Sequence, residues 1–397
     1  MQIKRLIYPL AACAVFSISA CSDTGSHSFT VTNQLDIPRE AEVITLPAKN
    51  LPSFIDQKHL ENVFIRQEGQ EGYLRSQYVD IDLDGDIDEI LFQASIGPGA
   101  TEKFHIERMK EAPAIQQEDS LTTFSRFVPE RSNDYAWEND RIAFRVYGLQ
   151  DTTPKGKRSP GGGVDAFMKR VSYPIINKWY KNNAESEGAY HIDTGEGHDP
   201  YLIGSSRGLG GTGIWDNDSL YVSSSFLSYK TIAEGPLRTI FELSYAPWDA
   251  NGRSIRESKR ISLDLGSHLS RIEETVESDK PIPNIVAGIS LRDKKGEVKG
   301  NKEEGWFRYW EPLDDSWLGS AIVINPADLS EFRDHRTNAP DQSHLYVFGK
   351  PENNKFTYYT GYGWVKSGHF KNVEEWDAYL SQFSKKLASP LVPKFEN

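Results

Sequence analysis

Short runs of alternating apolar and polar residues constrain the fold of this chain more than any other feature of its sequence. Residues 142–147, 237–245 and 260–265 alternate with a period of two, and Gly, Pro, Asn and Asp punctuate the chain between such runs. Period-two alternation with closely spaced turn residues favours stacked antiparallel sheets over units in which strands alternate with helices. The sequence therefore predicts a mainly β protein.

One clear helical pattern lies near the end of the chain. Apolar side chains recur at helical spacing from Trp376 to Leu387, with acids in the first turn, lysines in the last, and Pro390 beyond it. A polar stretch at 110–121 indicates a domain boundary. We expect a small β-sandwich over residues 29–115 and a large β-sandwich domain, with the short C-terminal helix, over residues 122–397.

The first residues resemble a bacterial lipoprotein signal peptide. Lys4 and Arg5 precede an apolar run over 6–18, and small residues lead to Cys21. We expect a signal peptide over 1–20, a lipid on Cys21 and a polar tether over 21–28, which would anchor the protein to a membrane. The expected location is the outer membrane or the cell surface, with a periplasm-facing position as an alternative. Cleavage would also remove Cys13 and leave no free thiol.

The acidity of the chain excludes nucleic acid as a partner. The chain has 57 acidic and 45 basic residues and a net charge of −12 at pH 7, which repels a phosphate backbone. The aromatic content is high, with 9 Trp, 18 Tyr and 19 Phe. Most such rings belong to cores, but exposed rings in a β-sandwich also stack on sugars. Candidates for that role are Trp310, Tyr359 and Trp364.

A first candidate site lies on the run 142–147 and its flanks. Arg141, Arg145 and Tyr147 share one face of a predicted strand. Two arginines on one face suit an anionic ligand, because a guanidinium matches a carboxylate or a sulfate. The alternative is a structural ladder of ion pairs with neighbouring acids, namely Glu130, Glu138 and Asp140.

The glycine-punctuated loop 189–201 concentrates histidines, acids and tyrosines. One interpretation is acid–base catalysis by His191 with Tyr190 or Tyr201. Another is a divalent metal ion held by residues drawn from the same loop: His191, Asp193, Glu196, His198 and Asp199. A third is a polar loop whose side chains cap its own backbone.

A run of alternating acids at 80–89 has a glycine at its sixth position and resembles a calcium loop. The twelfth position, however, is Leu91, where an EF-hand needs a bidentate glutamate. The alternative is a hairpin turn at Asp84-Gly85 with solvated aspartates. A metal ion is therefore a possible ligand of this protein, and no cofactor is assigned.

The segments 127–131, 137–141, 190–199 and 359–364 together resemble a family of secreted bacterial lipoproteins. This family is catalogued as a domain of unknown function, belongs to polysaccharide-utilisation systems and is associated with dehydration of the uronic-acid ends of ulvan oligosaccharides. The resemblance implies a galactose-mutarotase-like β-supersandwich for the large domain. It also implies a hydro-lyase, a carbon–oxygen lyase that forms a 4,5-unsaturated uronic acid at the non-reducing end.

Such a dehydration removes H5 beside the carboxylate and expels the 4-hydroxyl as water. It needs a cation on the carboxylate, a base and an acid. Arg145 and Arg141 suit the first role, His191 the second, and Tyr190 or Tyr201 the third. Further candidate residues for binding the anionic oligosaccharide are Arg131, Trp137, Lys169, Glu196, Trp310, Tyr359 and Trp364.

Other functions fit the same residues. A polysaccharide lyase would use the same base and cation to eliminate a glycosidic oxygen. Glycoside hydrolysis would need a carboxylate pair, for which Glu196 and Asp199 are candidates. A non-catalytic glycan-binding lipoprotein would use the aromatic rings and Arg145 but would not need His191.

Overall fold

The computed structural model describes residues 27–51, 55, 57–109, 111, 113, 121–131, 133–148 and 161–395. Within these ranges the chain forms 26 strands and two α-helices, which confirms the predicted mainly β fold. No helix in this part of the chain is both long and apolar enough to cross a membrane. The signal peptide, Cys21 and most of the expected domain boundary at 110–121 lie outside the described residues.

The N-terminal part of the chain contributes six strands. They are β1 (His27–Thr32), β2 (Arg39–Pro47), β3 (Val63–Gln67), β4 (Ser76–Val79), β5 (Glu89–Ile96) and β6 (Thr101–Arg108). Residues 27 and 28, which were expected in the tether, are part of β1. Strand β5 pairs with β2 and β4 in one sheet, and β6 pairs with β1 and β3 in another. Between the sheets lies an apolar core in which Phe29, Phe92 and Phe104 contact one another.

The next five strands form a sheet that we call the middle sheet, with the order β11-β10-β9-β8-β7. They are β7 (Phe124–Val128), β8 (Asp134–Glu138), β9 (Ala143–Val146), β10 (Asp165–Lys169) and β11 (Gly197–His198). Between β10 and β11 lie the helix α1 (Ile176–Glu185) and a 3-10 turn at Ala189–His191. The middle sheet and the segments that connect its strands thus carry most of the residues that the sequence singled out.

The rest of the chain forms two larger sheets. Its strands are β12 (Leu209–Asp216), β13 (Ser219–Tyr221), β14 (Phe226–Ala233), β15 (Arg238–Tyr245), β16 (Trp248–Asp249), β17 (Ser254–Asp264), β18 (Leu269–Ser278), β19 (Ile285–Ser290), β20 (Glu297–Asn301), β21 (Trp306–Leu313), β22 (Ser316–Ile324), β23 (Leu329–His335), β24 (His344–Gly349), β25 (Lys355–Trp364) and β26 (Lys394–Phe395). The five-stranded sheet has the order β13-β12-β19-β24-β23. The nine-stranded sheet has the order β14-β15-β17-β18-β25-β22-β21-β20, with β16 paired to β17.

One apolar core joins the middle sheet, the five-stranded sheet and the nine-stranded sheet. Residues from all three contribute to it, among them Phe144, Ile285 and Phe241. This large β-sandwich confirms the fold that the alternating runs and the resemblance led us to expect. The last strand, β26, returns to pair with β1, so a segment expected in the large domain completes a sheet of the small sandwich.

The predicted C-terminal helix is confirmed as α2 (Val373–Ala388). The side chain of Asn372 caps it by accepting a hydrogen bond from Glu375 N at 2.9 Å, and Pro390 follows its end. Its apolar face packs on the nine-stranded sheet, where Trp376 lies against Gly319. The remaining 3-10 helices are Ala48–Asn50, Gln57–Asn62, Pro326–Asp328 and Val365–Ser367.

The sequence did not predict α1. Its first backbone N–H groups, those of Ile175 and Ile176, donate to the carboxylate of Glu138 at 2.9 Å. Glu138 lies at the end of β8, so the cap comes from 37 residues upstream in the sequence. A capping signal is sought next to the helix it caps, and this one is visible only in the folded protein.

Candidate active site

Strand β9 places Arg145 on the side of the middle sheet that faces α1. Phe144 on this strand belongs to the large core, whereas Ala143 belongs to the apolar cluster around α1. Because side chains alternate along a strand, Arg145 shares the side of Ala143. Its guanidinium lies 4.7 Å from the ring centre of Phe167 and 5.3 Å from that of Tyr190. An arginine is thus buried among aromatic rings.

Two carboxylates hold Arg145 in place. Its Nε donates to Asp165 at 2.9 Å and its Nη2 to Asp199 at 2.7 Å, and the hydroxyl of Tyr147 also donates to Asp165. Arg145 is 2% exposed, and its Nη1 has no hydrogen-bond partner among the described residues. Most of the N–H donors of Arg145 are therefore engaged by the protein. The sequence analysis instead led us to expect an arginine that is free to bind the substrate.

Arg131 is the more accessible arginine of this group, with 29% of its side chain exposed. Its Nε donates to the hydroxyl of Tyr190 at 2.6 Å, and its Nη1 lies 3.3 Å from Asp134. Burial raises the pKa of Asp134 to about 6, although Arg145 and Arg131 oppose this shift. The Tyr190 oxygen accepts from a cation, so its own hydrogen can donate to another group.

His191 lies beside Tyr190 on the 3-10 turn, with the two ring centres 4.7 Å apart. Its Nδ1 lies 2.7 Å from the carbonyl oxygen of Asp199 and 3.6 Å from the Oδ2 atom of the same residue. A carbonyl oxygen only accepts, so the hydrogen belongs on Nδ1, and the neutral ring keeps a lone pair on Nε2. The side chain is 43% exposed. Nε2 of His191 can therefore accept a proton from a ligand that reaches this exposed side chain.

A continuous set of contacts thus runs from Arg131 through Tyr190, His191 and Asp199 to Arg145. We call these five residues the Arg131–Arg145 chain, which is a chain of side-chain contacts and not the segment between the two arginines. Burial raises the pKa of Asp199 to about 6, although the charges of Arg145 and His191 act in the opposite direction. The structure brings together here four residues that the sequence proposed for catalysis or binding, together with Asp199. Their chemistry comprises a cation, a proton donor and a proton acceptor.

A second polar group lies on the inner face of the nine-stranded sheet, and the sequence analysis missed two of its members, Glu311 and Arg292. Glu311 on β21 pairs with Leu318 on β22, which pairs with Trp364 on β25, so the three side chains form one row. A nitrogen of Arg292 lies 3.9 Å from the Glu311 carboxylate. The Arg292 guanidinium lies 5.1 Å from the ring centre of Tyr201. We call these residues the Glu311 group.

Burial dominates the electrostatics of the Glu311 group. Glu311 is 1% exposed, and burial raises its pKa to about 8 against the opposing charge of Arg292. Burial likewise raises the pKa of Tyr201 well above its usual value, and Glu311 adds to the effect. Both groups are therefore mainly protonated near pH 7, and both can donate. The sequence contains a signal for Glu311. It alternates along β21 with Phe307 and Tyr309, which belong to the apolar core, so this spacing indicates an acid that points inward.

Buried polar atoms without a hydrogen-bond partner are concentrated in this part of the molecule. Of 16 such atoms among the described residues, eight belong to the Arg131–Arg145 chain, the Glu311 group and the adjoining His198. They are Arg145 Nη1, His198 Nδ1, Asp199 Oδ1, Tyr201 Oη, Arg292 Nη1, both carboxylate oxygens of Glu311 and Trp364 Nε1. Unpaired buried polar atoms are costly. Their concentration is typical of a site that a ligand or solvent completes.

A cavity of about 390 Å³ adjoins Tyr190, between α1 and the loop that follows it. Glu196 lines this cavity and accepts hydrogen bonds from Lys178 at 2.7 Å and Trp179 at 3.3 Å, and also from Tyr173. These contacts lower its pKa against the effect of burial. The volume lies in the range of small-ligand pockets, and Tyr190 and Glu196 both line it, whereas His191 does not.

Two predicted ligand-binding residues are instead structural. Lys169 is 1% exposed, and its Nζ donates to Glu138 at 2.8 Å and to the carbonyl of Asn139 at 2.6 Å. It thereby neutralises the carboxylate that caps α1. Trp137 is fully buried, and its Nε1 donates to Ser270 at 3.0 Å. The structure contradicts a direct contact of either side chain with a substrate.

Arg141 and Tyr359 lie away from the Arg131–Arg145 chain and line a different groove. Arg141 pairs with Asp140 at 2.8 Å, as the ion-pair alternative proposed. It lies beyond the N-terminal end of β9, where the strand alternation that would align it with Arg145 no longer holds. Arg141 and Arg145, which the sequence analysis placed on one face of a strand, therefore lie in two different places. Trp310 is 8% exposed and stacks on Trp317 at 6.1 Å, and Trp317 is the exposed ring of this pair.

The residues proposed as metal ligands do not converge. Asp193 pairs with Arg170 at 2.9 Å, His198 with Asp314 at 2.8 Å and Asp199 with Arg145. Within the described ranges, the acids whose oxygens lie within 4.8 Å of one another in a set of three are Asp80, Asp82 and Asp88. These aspartates also accept hydrogen bonds from backbone N–H groups of their own loop, as the hairpin alternative implies.

Comparison with protein families identifies one match that covers most of the chain. The sequence profile of the family described as "Domain of unknown function (DUF4861)" matches residues 31–392. A relative from Formosa agariphila, "Uncharacterized protein P7", is 39% identical over 398 residues, which cover 98% of this chain and 99% of that protein.

Comparison with solved structures identifies two proteins from Enterococcus faecalis. One is described as a protein in the glycosyl hydrolase family 38 and the other as an alpha-mannosidase. Both are 10% identical and cover 94% of this chain, with TM-scores of 0.50 and 0.52. The chain spans about half the length of these structures, 47% and 46%. The similarity supports the β-sandwich fold alone.

Proposed function

The chain belongs to the DUF4861 family, and on this premise we propose that it is a hydro-lyase that dehydrates the terminal uronic acid of ulvan-type oligosaccharides. The reaction breaks the C5–H and C4–O bonds of the non-reducing-end sugar. It forms a double bond between C4 and C5 and releases water. The resemblance described from the sequence motifs suggests the substrate class, and the residues of the site suggest the chemistry.

The chemical difficulty of this reaction lies at C5. Removal of its hydrogen places negative charge next to a carboxylate that is already anionic. A cation or strong hydrogen-bond donors must therefore neutralise the carboxylate while a base takes the proton. The 4-hydroxyl leaves readily only if an acid protonates it.

The Arg131–Arg145 chain is the observation that carries the proposal. Arg131, Tyr190 and His191 are linked by the 2.6 Å hydrogen bond and the 4.7 Å ring contact, and all three roles of the elimination are present among them. We assign the carboxylate to Arg131, which is 29% exposed, the acid to Tyr190 and the base to Nε2 of His191. Arg145 acts through Asp199 as a positioning residue.

The Glu311 group offers an alternative acid. Tyr201 was proposed for that role from the sequence, and its hydroxyl has no partner among the described residues. Its neighbour Glu311, with a pKa of about 8, is also protonated near neutral pH. Comparison of Tyr190→Phe with Tyr201→Phe decides between the two tyrosines, since loss of the acid lowers kcat by about 10²–10⁴-fold.

The test of the proposal is incubation with ulvan oligosaccharides that end in a uronic acid, followed by mass spectrometry with and without a chelator. We expect loss of one water, an unchanged number of sugars and new ultraviolet absorbance from the conjugated double bond. Shortened oligosaccharides would favour a lyase or a glycosidase. Binding without any product would favour a glycan-binding protein and contradict the proposal.

We further propose that the protein is anchored by a lipid on Cys21, at the outer membrane or the cell surface. The charged start, the apolar run and the small residues before Cys21 support this. Metabolic labelling with a fatty acid tests it. We expect label in the wild type and none in Cys21→Ser, and equal labelling of the two would contradict the anchor.

A further inference from the structure

We propose that a groove between the two sandwiches is a second binding site for acidic saccharide, separate from the Arg131–Arg145 chain. The groove has a volume of about 960 Å³ and lies between β2 of the small sandwich, the outer face of the nine-stranded sheet and α2. None of Arg131, Tyr190, His191 or Asp199 lines it. The inference rests on the proposed function, because that function supplies the acidic saccharide.

Basic side chains outnumber acidic ones among the residues that line the groove, in a chain that is acidic overall. Six basic side chains line it: Arg39, Arg141, Arg238, Arg260, Arg271 and Lys386. The acidic ones are four: Glu40, Glu42, Glu89 and Asp264. The chain as a whole has a net charge of −12, so long-range attraction cannot recruit an anion. Asp140, Glu242 and Glu273 pair with three of the arginines from outside the lining, so an anion would bind here through local guanidinium donors and not through an excess of positive charge.

The arginines of the groove fall into two classes. Arg39 is 1% exposed, pairs with Glu42 and donates to the carbonyl of Ser389 at 2.8 Å. Arg238 pairs with Asp264 and donates to Thr45 of β2 at 3.2 Å, so these two serve the contact between the sandwiches. The side chains of Arg141, Arg260 and Arg271 are 35%, 35% and 38% exposed. These three guanidiniums are the ones that a ligand can reach.

Strand register places two of the exposed arginines side by side. Arg271 on β18 pairs with Ser262 on β17, two residues from Arg260 on the same outer face. Diagonal neighbours of this kind lie about 7–8 Å apart. Each arginine has a carboxylate partner, Glu242 for Arg260 and Glu273 for Arg271, but one partner cannot engage all five N–H donors of a guanidinium.

Next to the arginines the groove offers a hydroxyl, an aromatic ring and a further donor. Ser262, Arg271 and Tyr359 form one cross-strand row. Nη1 of Arg141 lies 2.6 Å from Nδ1 of His369, and since a guanidinium only donates, the neutral His369 ring carries its hydrogen on Nε2. Guanidinium forks, ring faces and hydroxyls together suit a saccharide that bears carboxylate or sulfate groups.

The test compares binding of partially depolymerised ulvan by the wild type and by the double variant Arg260→Gln/Arg271→Gln. We expect the double variant to bind at least about tenfold more weakly, since each charged hydrogen bond contributes to affinity, and the wild-type affinity to fall as NaCl is added. Dehydration of a uronic-acid-ended trisaccharide should be the same in both proteins. Thermal unfolding of the two proteins verifies that the double variant is folded.

Arg256→Gln is the matched control, because Arg256 lies on the same outer face of β17, is 76% exposed and does not line the groove. It should bind like the wild type. Equal binding by the double variant, or equal weakening by Arg256→Gln, would overturn the groove as a site. Failure of the trisaccharide assay in the wild type would overturn the proposed function instead, and the binding comparison would still decide on the groove.

Discussion

Nδ1 of His191 lies 2.7 Å from the backbone carbonyl oxygen of Asp199, and this contact fixes which nitrogen of the ring carries the hydrogen. Asp199 is itself fixed, because its carboxylate is 2.7 Å from Nη2 of Arg145. The orientation of the proposed base therefore depends on a buried ion pair that no substrate needs to touch.

His191→Ala should lower kcat for dehydration by about 10²–10⁴-fold, the usual contribution of a general base. Substrate affinity should change little, since Arg131 is the residue proposed to bind the carboxylate. Steady-state kinetics on a uronic-acid-ended trisaccharide measure both. His59→Ala is the control, because the His59 side chain is 60% exposed on the small sandwich. A kcat within twofold of the wild type in His191→Ala would remove His191 from the mechanism.

Arg131→Gln should raise KM more than it lowers kcat if Arg131 binds the substrate carboxylate in the ground state. Tyr190→Phe should instead lower kcat, since it removes the hydroxyl that accepts from Arg131 at 2.6 Å and is proposed to donate to the leaving group. Kinetics of the two variants on one substrate provide the comparison. If both variants had the same kinetic profile, the separate roles given to the two residues would be wrong.

Arg145→Met should destabilise the protein by about 3–5 kcal/mol, because it leaves the carboxylates of Asp165 and Asp199 buried without their cation. Urea unfolding at pH 7 measures this. Arg256→Met, at an exposed surface pair, should change stability by less than about 1 kcal/mol. A loss below about 1 kcal/mol in Arg145→Met would mean that the buried pair does not hold Asp199 in place.

Glu311 should make stability fall as pH rises. Its pKa in the folded protein, about 8, lies above the ordinary value of 4.5, so its contribution is fully present below about pH 4.5 and is lost as pH rises toward 8. Glu311→Gln removes this pH-dependent contribution to the free energy of unfolding. We expect the wild type to lose about 3 kcal/mol more than the variant between pH 6 and pH 9 in urea unfolding. Parallel pH dependences of the two proteins would contradict the buried, neutral carboxyl.

The sequence was sufficient for elements whose signals are local. Period-two alternation identified the strands, and the helical spacing and terminal charges identified α2. It was not sufficient for α1, whose cap is the distant Glu138 carboxylate. Nor did it show that β26 returns to pair with β1, since strand pairing between the two ends of a chain leaves no local pattern.

The site could be predicted only in part for the same reason. Tyr190, His191 and Asp199 are close in sequence, and Arg131 lies in the turn between β7 and β8 of the sheet that carries Arg145 on β9. Glu311 comes from a different sheet and reaches Tyr201 only through the fold. The role of Lys169 was misjudged because its partner Glu138 makes it a structural cation. Residue type indicated the chemistry, and tertiary contacts decided which residues have free donors.

The most direct test of the central claim uses an oligosaccharide that carries deuterium at C5 of its terminal uronic acid. Incubation with the protein and mass spectrometry should yield a product with the same number of sugars that has lost the elements of HDO, the 4-hydroxyl together with the C5 deuterium. The His191→Ala variant should yield little of it. A product that retains the deuterium, or one that has lost the terminal sugar, would contradict dehydration at C4 and C5.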